Sequence, residues 1–495
     1  MAEKTPCVLV LDVGKTHKKV ALYDRDFRVL AEERRYFGTA DWQGIEVEQT
    51  GEVLAWQRER LRAFAKDFDI RSISVTAHGA TLALLEESGE LAMPVVSYTA
   101  SVGHDVQDEF YELYGTREAL LRETGSADIG FCNMAKVLHY VRTRRPDVWE
   151  RCRHGLFYAS YFAYELSGVM AMEPTFIGNH SYLWDFSTND WSRIARDLGA
   201  DQLFAKPVQD SWAALGPLRE DWARDCGIDS KCVVAAGIHD SNANLLPYLA
   251  REQSDFLLAS TGTWCVLMRP TDAPRLTDEQ VEANVFFNLS AFRQPVLTGL
   301  LPTGMEYETF ASFSAHSDAQ DVGALEQLVS ASDVFIVPGT LPDVPLFPGA
   351  TPGLRIGERA YSLDQLRNGD AADEITRLGQ RYFAALNISL ALATKRALAP
   401  LNAPKDSTIY IDGGFATNAV YCRLLATLCP EHRWVLTQNK EGTSFGAALT
   451  GWAAAERAHP GELSTRFGFE ISIVDPLRVP TLPKYVERFE HATVC

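Results

Sequence analysis

Five consecutive residues, Asp12-Val13-Gly14-Lys15-Thr16, bring together a carboxylate, a glycine, a lysine and a hydroxyl. They lie between two apolar runs, Cys7–Leu11 and Val20–Tyr23, so the local reading is strand, tight polar turn, strand. Such a turn has the groups to cradle phosphates and a metal ion. A Walker loop is excluded, because the place of its first glycine is taken by Leu9 and a strand, not a helix, follows the turn. What remains is a hairpin whose backbone N–H groups and polar side chains face the β- and γ-phosphates, with Asp12 holding Mg²⁺ partly through water. Taken alone, an ordinary β-turn with a solvated lysine explains these residues more simply.

A second turn of similar build lies far downstream. Phe256–Ala259 leads into Ser260-Thr261-Gly262-Thr263, and Trp264–Met268 leads out. Its hydroxyls and amides could serve phosphate oxygens or close a simple hairpin. Each turn occupies the same place in its own half, which suggests an old duplication with a nucleotide held between the halves. Between them, Gly237-Ile238-His239-Asp240 sets a carboxylate where a short strand meets a helix. Asp240 suits a general base acting on a hydroxyl. On spacing alone a helix N-cap with no chemistry is the safer reading. His239 reads as a packed neighbour. His78-Gly79, at another strand end, could meet a sugar hydroxyl or be structural. Asp412-Gly413-Gly414 offers close backbone approach to an adenine–ribose unit, or a plain strand-to-helix turn. Glu441 and Gly446-Ala447-Ala448 would close that wall, the small residues allowing tight helix packing.

These groups need a scaffold. Strands are expected at Cys7–Leu11, Lys19–Tyr23, Arg28–Tyr36 and Ile70–Ala77, and a hairpin from Leu82–Leu85 and Leu91–Val96. Helical spacing predicts helices over Val53–Phe68, from Met134 to Arg145, over Ser241–Leu249, Ile375–Leu398 and Ala419–Leu428. The aromatic-rich stretch Gly155–Trp191 suits a pocket wall or an aromatic core. Pro338–Pro352 reads as loop. A chain of 495 residues exceeds one core, and the boundary falls near residue 250. A formal charge of −18 argues against nucleic acid or an anionic membrane as partner. No signal peptide or membrane span is apparent, and nine scattered cysteines without a C-x-x-C pair point to reduced thiols in the cytoplasm.

Taken in order, Asp12–Thr16, Thr76–Gly79, Met134–Arg151, Glu173–Trp191, Gly237–Asp240, Ser260–Trp264, Asp412–Gly414 and Glu441–Ala448 resemble the FGGY family of carbohydrate kinases, within the actin-like ATPase superfamily. The likeness is nearest to ketose kinases of the rhamnulokinase and fuculokinase type. It implies an α/β fold of two actin-like (ribonuclease H-like) domains with an interdomain cleft. Residues 1–250 would bind mainly sugar and carry the base, and 251–495 would bind mainly ATP. It implies Asp240 as general base, also lying at the sugar and the metal. Asp12 would meet the metal, with Gly14, Lys15 and Thr16 along the phosphates. Thr261, Gly262 and Thr263 form the second phosphate loop, Gly413, Gly414 and Asn418 face adenosine, and His78 and Gly79 belong with the substrate.

The implied reaction is ATP- and Mg²⁺-dependent phosphorylation of a small sugar, L-rhamnulose or L-fuculose first, D-xylulose or L-ribulose as alternatives. Domain closure would exclude water, and a homodimer follows the family's common arrangement. A non-catalytic sensor of the same fold is the remote alternative. There are departures. The family's Trp-x-Asp-x-Arg segment is replaced by Ser97-Tyr98-Thr99-Ala100-Ser101-Val102, Lys15 stands where xylulose and glycerol kinases have threonine, and Phe415 follows the double glycine.

Overall fold

The computed structural model describes residues 4–127, 133–204, 208–252, 255–341, 344, 346–437 and 441–494. The chain forms two compact units. The first takes Met1–Gln253, Pro270–Leu297 and Glu441–Gly468; the second takes Ser254–Arg269, Thr298–Lys440 and Phe469–Cys495.

In the first unit, the strands run side by side in the order Ala214–Pro217, Val233–Ala235, Phe68–Ala77, Thr5–Val13, His17–Tyr23 and Val29–Tyr36. Thr5–Val13 is antiparallel to His17–Tyr23 and parallel to Phe68–Ala77, with Asp12 opposite Thr76. The short strand Ile238–His239 continues alongside the end of Phe68–Ala77, His239 opposite Ala77. Parallel pairing buries both faces, which is why Cys7–Leu11 is apolar at every position and fully buried.

The helix Gly442–Glu456 packs against this sheet, Ser72 Oγ donating to Gly451 O at 2.7 Å. Its small residues have the expected purpose. A Cβ on Gly446 would stand 1.7 Å from Ala243 O, in the helix Asp240–Arg251.

The second unit repeats the plan. Phe256–Thr261 is antiparallel to Cys265–Pro270 and parallel to Thr408–Gly413, which continues to Arg433–Thr437 and Ile471–Ile473. The helix Gln380–Leu398 is buried along most of its length and meets Ala419–Leu428, with Thr394 Oγ1 and Tyr421 OH 2.8 Å apart.

Several elements differ from the sequence reading. The first helix is Thr50–Phe64, and Phe68 opens the next strand. Leu82–Leu85 does turn back on the next run, Leu85 bridging Leu91 and Ala92 N donating to Leu84 O at 2.8 Å, but its four-residue strand partner is His154–Phe157, and Val96 bridges Val47 instead. The expected helix Ile375–Leu398 is broken at Gly379, whose φ of 54° ends Ala372–Leu378 before Gln380–Leu398 begins. The aromatic stretch is core where Phe157 stacks on Phe176 and Phe204 at 5.8 and 4.8 Å. The expected loop Pro338–Pro352 lies partly outside the described residues, at 342, 343 and 345. Seven described cysteines are buried and unpaired, and no described helix is long and apolar enough to cross a membrane.

Candidate active site

The polar groups of the first unit gather at the carboxyl ends of parallel strands, the usual ligand edge of an open α/β sheet. Asp12 ends one strand, His78 and Gly79 follow the next, and Asp240 follows Ile238–His239. Asp12 Oδ2 accepts a hydrogen bond from Ser444 Oγ at 2.7 Å and lies 3.5 Å from Lys19 Nζ. Lys19 is paired in turn with Glu441. Burial pushes the Asp12 carboxyl above its ordinary range, Lys19 and Ser444 oppose the rise, and the negative charge of Asp240 adds to it.

Asp240 is the first residue of its helix, not the cap. The cap position is His239, and no side chain caps that end. Asp240 Oδ1 accepts from Ser241 N at 2.6 Å and lies 3.1 Å from His239 Nε2. Burial raises its pKa, against the Ser241 donors. The simpler role of N-cap is thereby removed, and a partly exposed carboxylate remains. His78 is buried and held neutral, its pKa lowered to about 4 by burial. Its Nδ1 lies 3.3 Å from Gly79 O, and its ring packs on Tyr98 and Tyr158 at 5.1 and 4.9 Å.

The turn Gly14–Thr16 is fastened from below. Lys18, 1% exposed, donates to Gly14 O and Lys15 O at 2.7 and 2.8 Å, leaving Thr16 exposed. Lys15 departs from the role read in the sequence. Its ammonium lies 2.7 Å from buried Glu48, donates to Ser97 and sits over the Tyr98 ring at 5.2 Å. Burial opposes ionisation of Glu48, and Lys15 and Lys18 help keep its carboxyl below the usual range.

In the second unit, Thr261 Oγ1 donates to Asp412 O and accepts from Phe415 N at 3.1 Å, so this hydroxyl is structural. Gly262, Thr263, Gly413 and Gly414 are exposed, and Thr261 is in register with Gly413. Gly413 is required there: φ is 82°, and a Cβ would stand 1.9 Å from Thr261 O. Asn418 faces inward. It is 7% exposed, its Oδ1 accepts from Tyr421 N at 3.0 Å to cap a helix, and its Nδ2 donates to Asn387 Oδ1 at 2.8 Å. Phe415 fits between Tyr307 and Tyr421, at 5.3 and 5.0 Å.

The N-terminal domain of the FGGY family of carbohydrate kinases matches residues 7–247, and the domain described as "Carbohydrate kinase FGGY, C-terminal domain" matches residues 253–460. The chain belongs to the FGGY family of carbohydrate kinases. This FGGY chain is similar to an L-fuculokinase of Salmonella typhi, 27% identical over 281 residues, 54% of this chain and 57% of that protein. It is also similar to a rhamnulokinase of Halalkalibacterium halodurans, 24% identical over 197 residues, 40% of this chain and 41% of that protein. The matches thus span only about half the length of these curated relatives.

Among solved structures, a carbohydrate kinase from Novosphingobium aromaticivorans matches with a TM-score of 0.80 and 25% identity, over 99% of both chains. A ligand-bound xylulose kinase from Lactobacillus acidophilus shares the fold, with a TM-score of 0.79 and 16% identity over 98% of this chain and 97% of that one.

Within the FGGY frame, sequence reasoning missed Glu48, Lys18, Lys19, Asn242 and Ser444 as neighbours of the site. Glu48, Lys19 and Ser444 carry no local signal, because each meets its partner through the fold, whereas Lys18 and Asn242 reach partners only three or four residues away. Asn179 was visible only as part of the polar pair Asn179-His180 among aromatics. No group of three or more His, Cys, Asp or Glu residues able to hold a metal occurs among the described residues. Two neighbouring carboxylates, Asp12 and Asp240, still fit Mg²⁺, which keeps several waters and shares phosphate oxygens.

Proposed function

We propose that this chain is an ATP-dependent ketose kinase, with L-fuculose or L-rhamnulose as the leading substrates. One observation carries the reading. Asp240 stands beyond the same sheet edge as Asp12 and His78, and its carboxylate is not used as a helix cap. The names of the fuculokinase and rhamnulokinase relatives support the sugar class.

In this mechanism the sugar lies against His78, Gly79 and Asp240. Asp240 takes the proton from the attacking hydroxyl as that oxygen bonds to the γ-phosphorus. The bond from the γ-phosphorus to the bridging oxygen breaks, and ADP leaves with that oxygen. Burial raises the proton affinity of Asp240, which suits a base. In the first unit the backbone around Gly14 and Thr16 offers donors to phosphate oxygens; in the second the exposed Gly262–Thr263 turn offers the same, and Gly413 and Gly414 permit close approach of adenosine. Asp12 and Asp240 would hold Mg²⁺, which would supply charge neutralisation for the phosphates. Lys15 belongs on the sugar side, with Glu48, Ser97 and Tyr98. The cytoplasm, which supplies ATP and keeps thiols reduced, suits this activity.

The test is ATP consumption by the purified protein over L-fuculose, L-rhamnulose, D-xylulose and L-ribulose, with the phosphorylated position found by NMR. Turnover of one of the first two carries the reading. Preference for D-xylulose or L-ribulose moves it to the alternative sugars. Sugar binding without turnover on any of them replaces it with a sensor.

A further inference from the structure

His239 stands where three polar side chains meet. Its Nε2 is 3.1 Å from Asp240 Oδ1 and 2.7 Å from Asn179 Nδ2, and its Nδ1 is 3.2 Å from Asn242 Nδ2. The ring is 4% exposed and meets the edge of Phe176 at 5.4 Å. Its backbone N–H donates to Thr175 Oγ1 at 2.9 Å. Thr175 Oγ1 donates to Glu173, a fully buried carboxylate that also accepts from Ser211 Oγ at 2.6 Å. Gly79 makes room for this arrangement. A Cβ there would stand 2.5 Å from Asn179 Nδ2 and 2.7 Å from His239 Nε2.

The hydrogen-bonding roles follow from what each group can do. An ionised carboxylate only accepts, so the ring nitrogen facing Asp240 carries the hydrogen. The lone pair is then on Nδ1, where Asn242 donates from Nδ2. The nitrogen and oxygen of a carboxamide exchange by a half-turn. With hydrogen on Nε2, Asn179 faces it through Oδ1, which has no other partner among the described residues. Asp240 Oδ1 lies 3.1 Å from His239 Nε2 and accepts from Ser241 N at 2.6 Å and from Ser241 Oγ at 3.3 Å, whereas Oδ2 accepts from no described residue.

We infer that His239 is the positioning residue of the transfer, turning Oδ1 of Asp240 to the protein and leaving Oδ2 to receive the hydroxyl proton. Asn179 and Asn242 hold the ring in the required tautomer. This rests on Asp240 being the base.

The variants His239→Gln, His239→Asn and His239→Ala in the full chain test it, with ATP and the ketose that the wild type turns over. A glutamine amide nitrogen reaches the place of Nε2; an asparagine amide nitrogen reaches that of Nδ1. The expected result is a fall in kcat of about 10- to 100-fold in His239→Ala and His239→Asn with KM unchanged, and recovery of most of kcat in His239→Gln. Equal kcat in the Gln and Asn variants overturns the positioning role, and so does a loss expressed wholly in the KM for sugar. Should His239→Ala not fold, the Gln–Asn comparison alone decides. Failure of the base reading looks different: Asp240→Asn would then retain turnover.

Discussion

Ser444 donates its hydroxyl hydrogen to Asp12 Oδ2 at 2.7 Å across 432 positions of sequence. With Lys19 on the same oxygen, it turns one side of the carboxylate toward the protein. Asp12→Ala is expected to raise the magnesium requirement of turnover, because a carboxylate available to the ion is lost. A magnesium titration of initial rate reads this, and an unchanged midpoint would remove Asp12 from the metal.

Asp240→Asn keeps the shape of the side chain and removes its basicity. Turnover should fall by at least ~100-fold, the usual lower range for losing a general base. Steady-state kinetics on the folded variant decide it.

Lys15→Met separates the two places at which Lys15 could act. Glu48 loses its partner at 2.7 Å and keeps Lys18 at 3.8 Å. The stability cost should be on the order of 2 kcal/mol, below that of fully breaking a buried pair, because Lys18 remains. The KM for sugar should rise while that for ATP stays put. The reverse pattern would return Lys15 to the phosphates.

His78 has a folded pKa of about 4 against an ordinary value of 6.5. The unfolded chain therefore takes up a proton at a higher pH than the folded one, and stability falls as pH drops from about 6.5 toward 4. Between pH 7 and pH 5 this single group should cost the wild type about 2 kcal/mol that His78→Gln does not lose. Urea unfolding of both proteins at the two pH values measures the difference, and a constant gap would show that His78 is not held neutral.

Gly413→Ala combines a left-handed backbone with a Cβ 1.9 Å from Thr261 O. A loss of about 2–5 kcal/mol is expected from strain and overpacking together. A lowered unfolding midpoint and weaker ATP binding should appear together.

Much of the scaffold was legible because element type is a local property. Alternation and turn residues marked the hairpins around Gly14 and Gly262, and helical spacing marked Met134–Arg144 and Ala419–Leu428. Pairing was not legible, since it depends on which strand arrives alongside. Leu82–Leu85 turns back on Leu91 and Ala92 as its residues suggest, but its longer partner, His154–Phe157, carries no mark in the local sequence. The same limit applied to Ile375–Leu398, where one residue, Gly379, outweighed a continuous apolar stripe.

At the site, sequence alone determined residue chemistry and order: Asp12 before a glycine turn, Asp240 at a strand-to-helix junction, Gly413 after a strand. The order of those segments was enough to suggest the family. Only the tertiary structure decided which atoms are left for a ligand. It spent the Thr261 hydroxyl and the Asn418 amide on the fold, took Lys15 to Glu48, and brought Ser444 to Asp12. It also withheld Asp240 from the helix cap and set it against His239. The reason is physical. A side chain's charge and hydrogen-bonding capacity belong to the residue, but whether they are already satisfied depends on neighbours that folding brings from elsewhere in the chain.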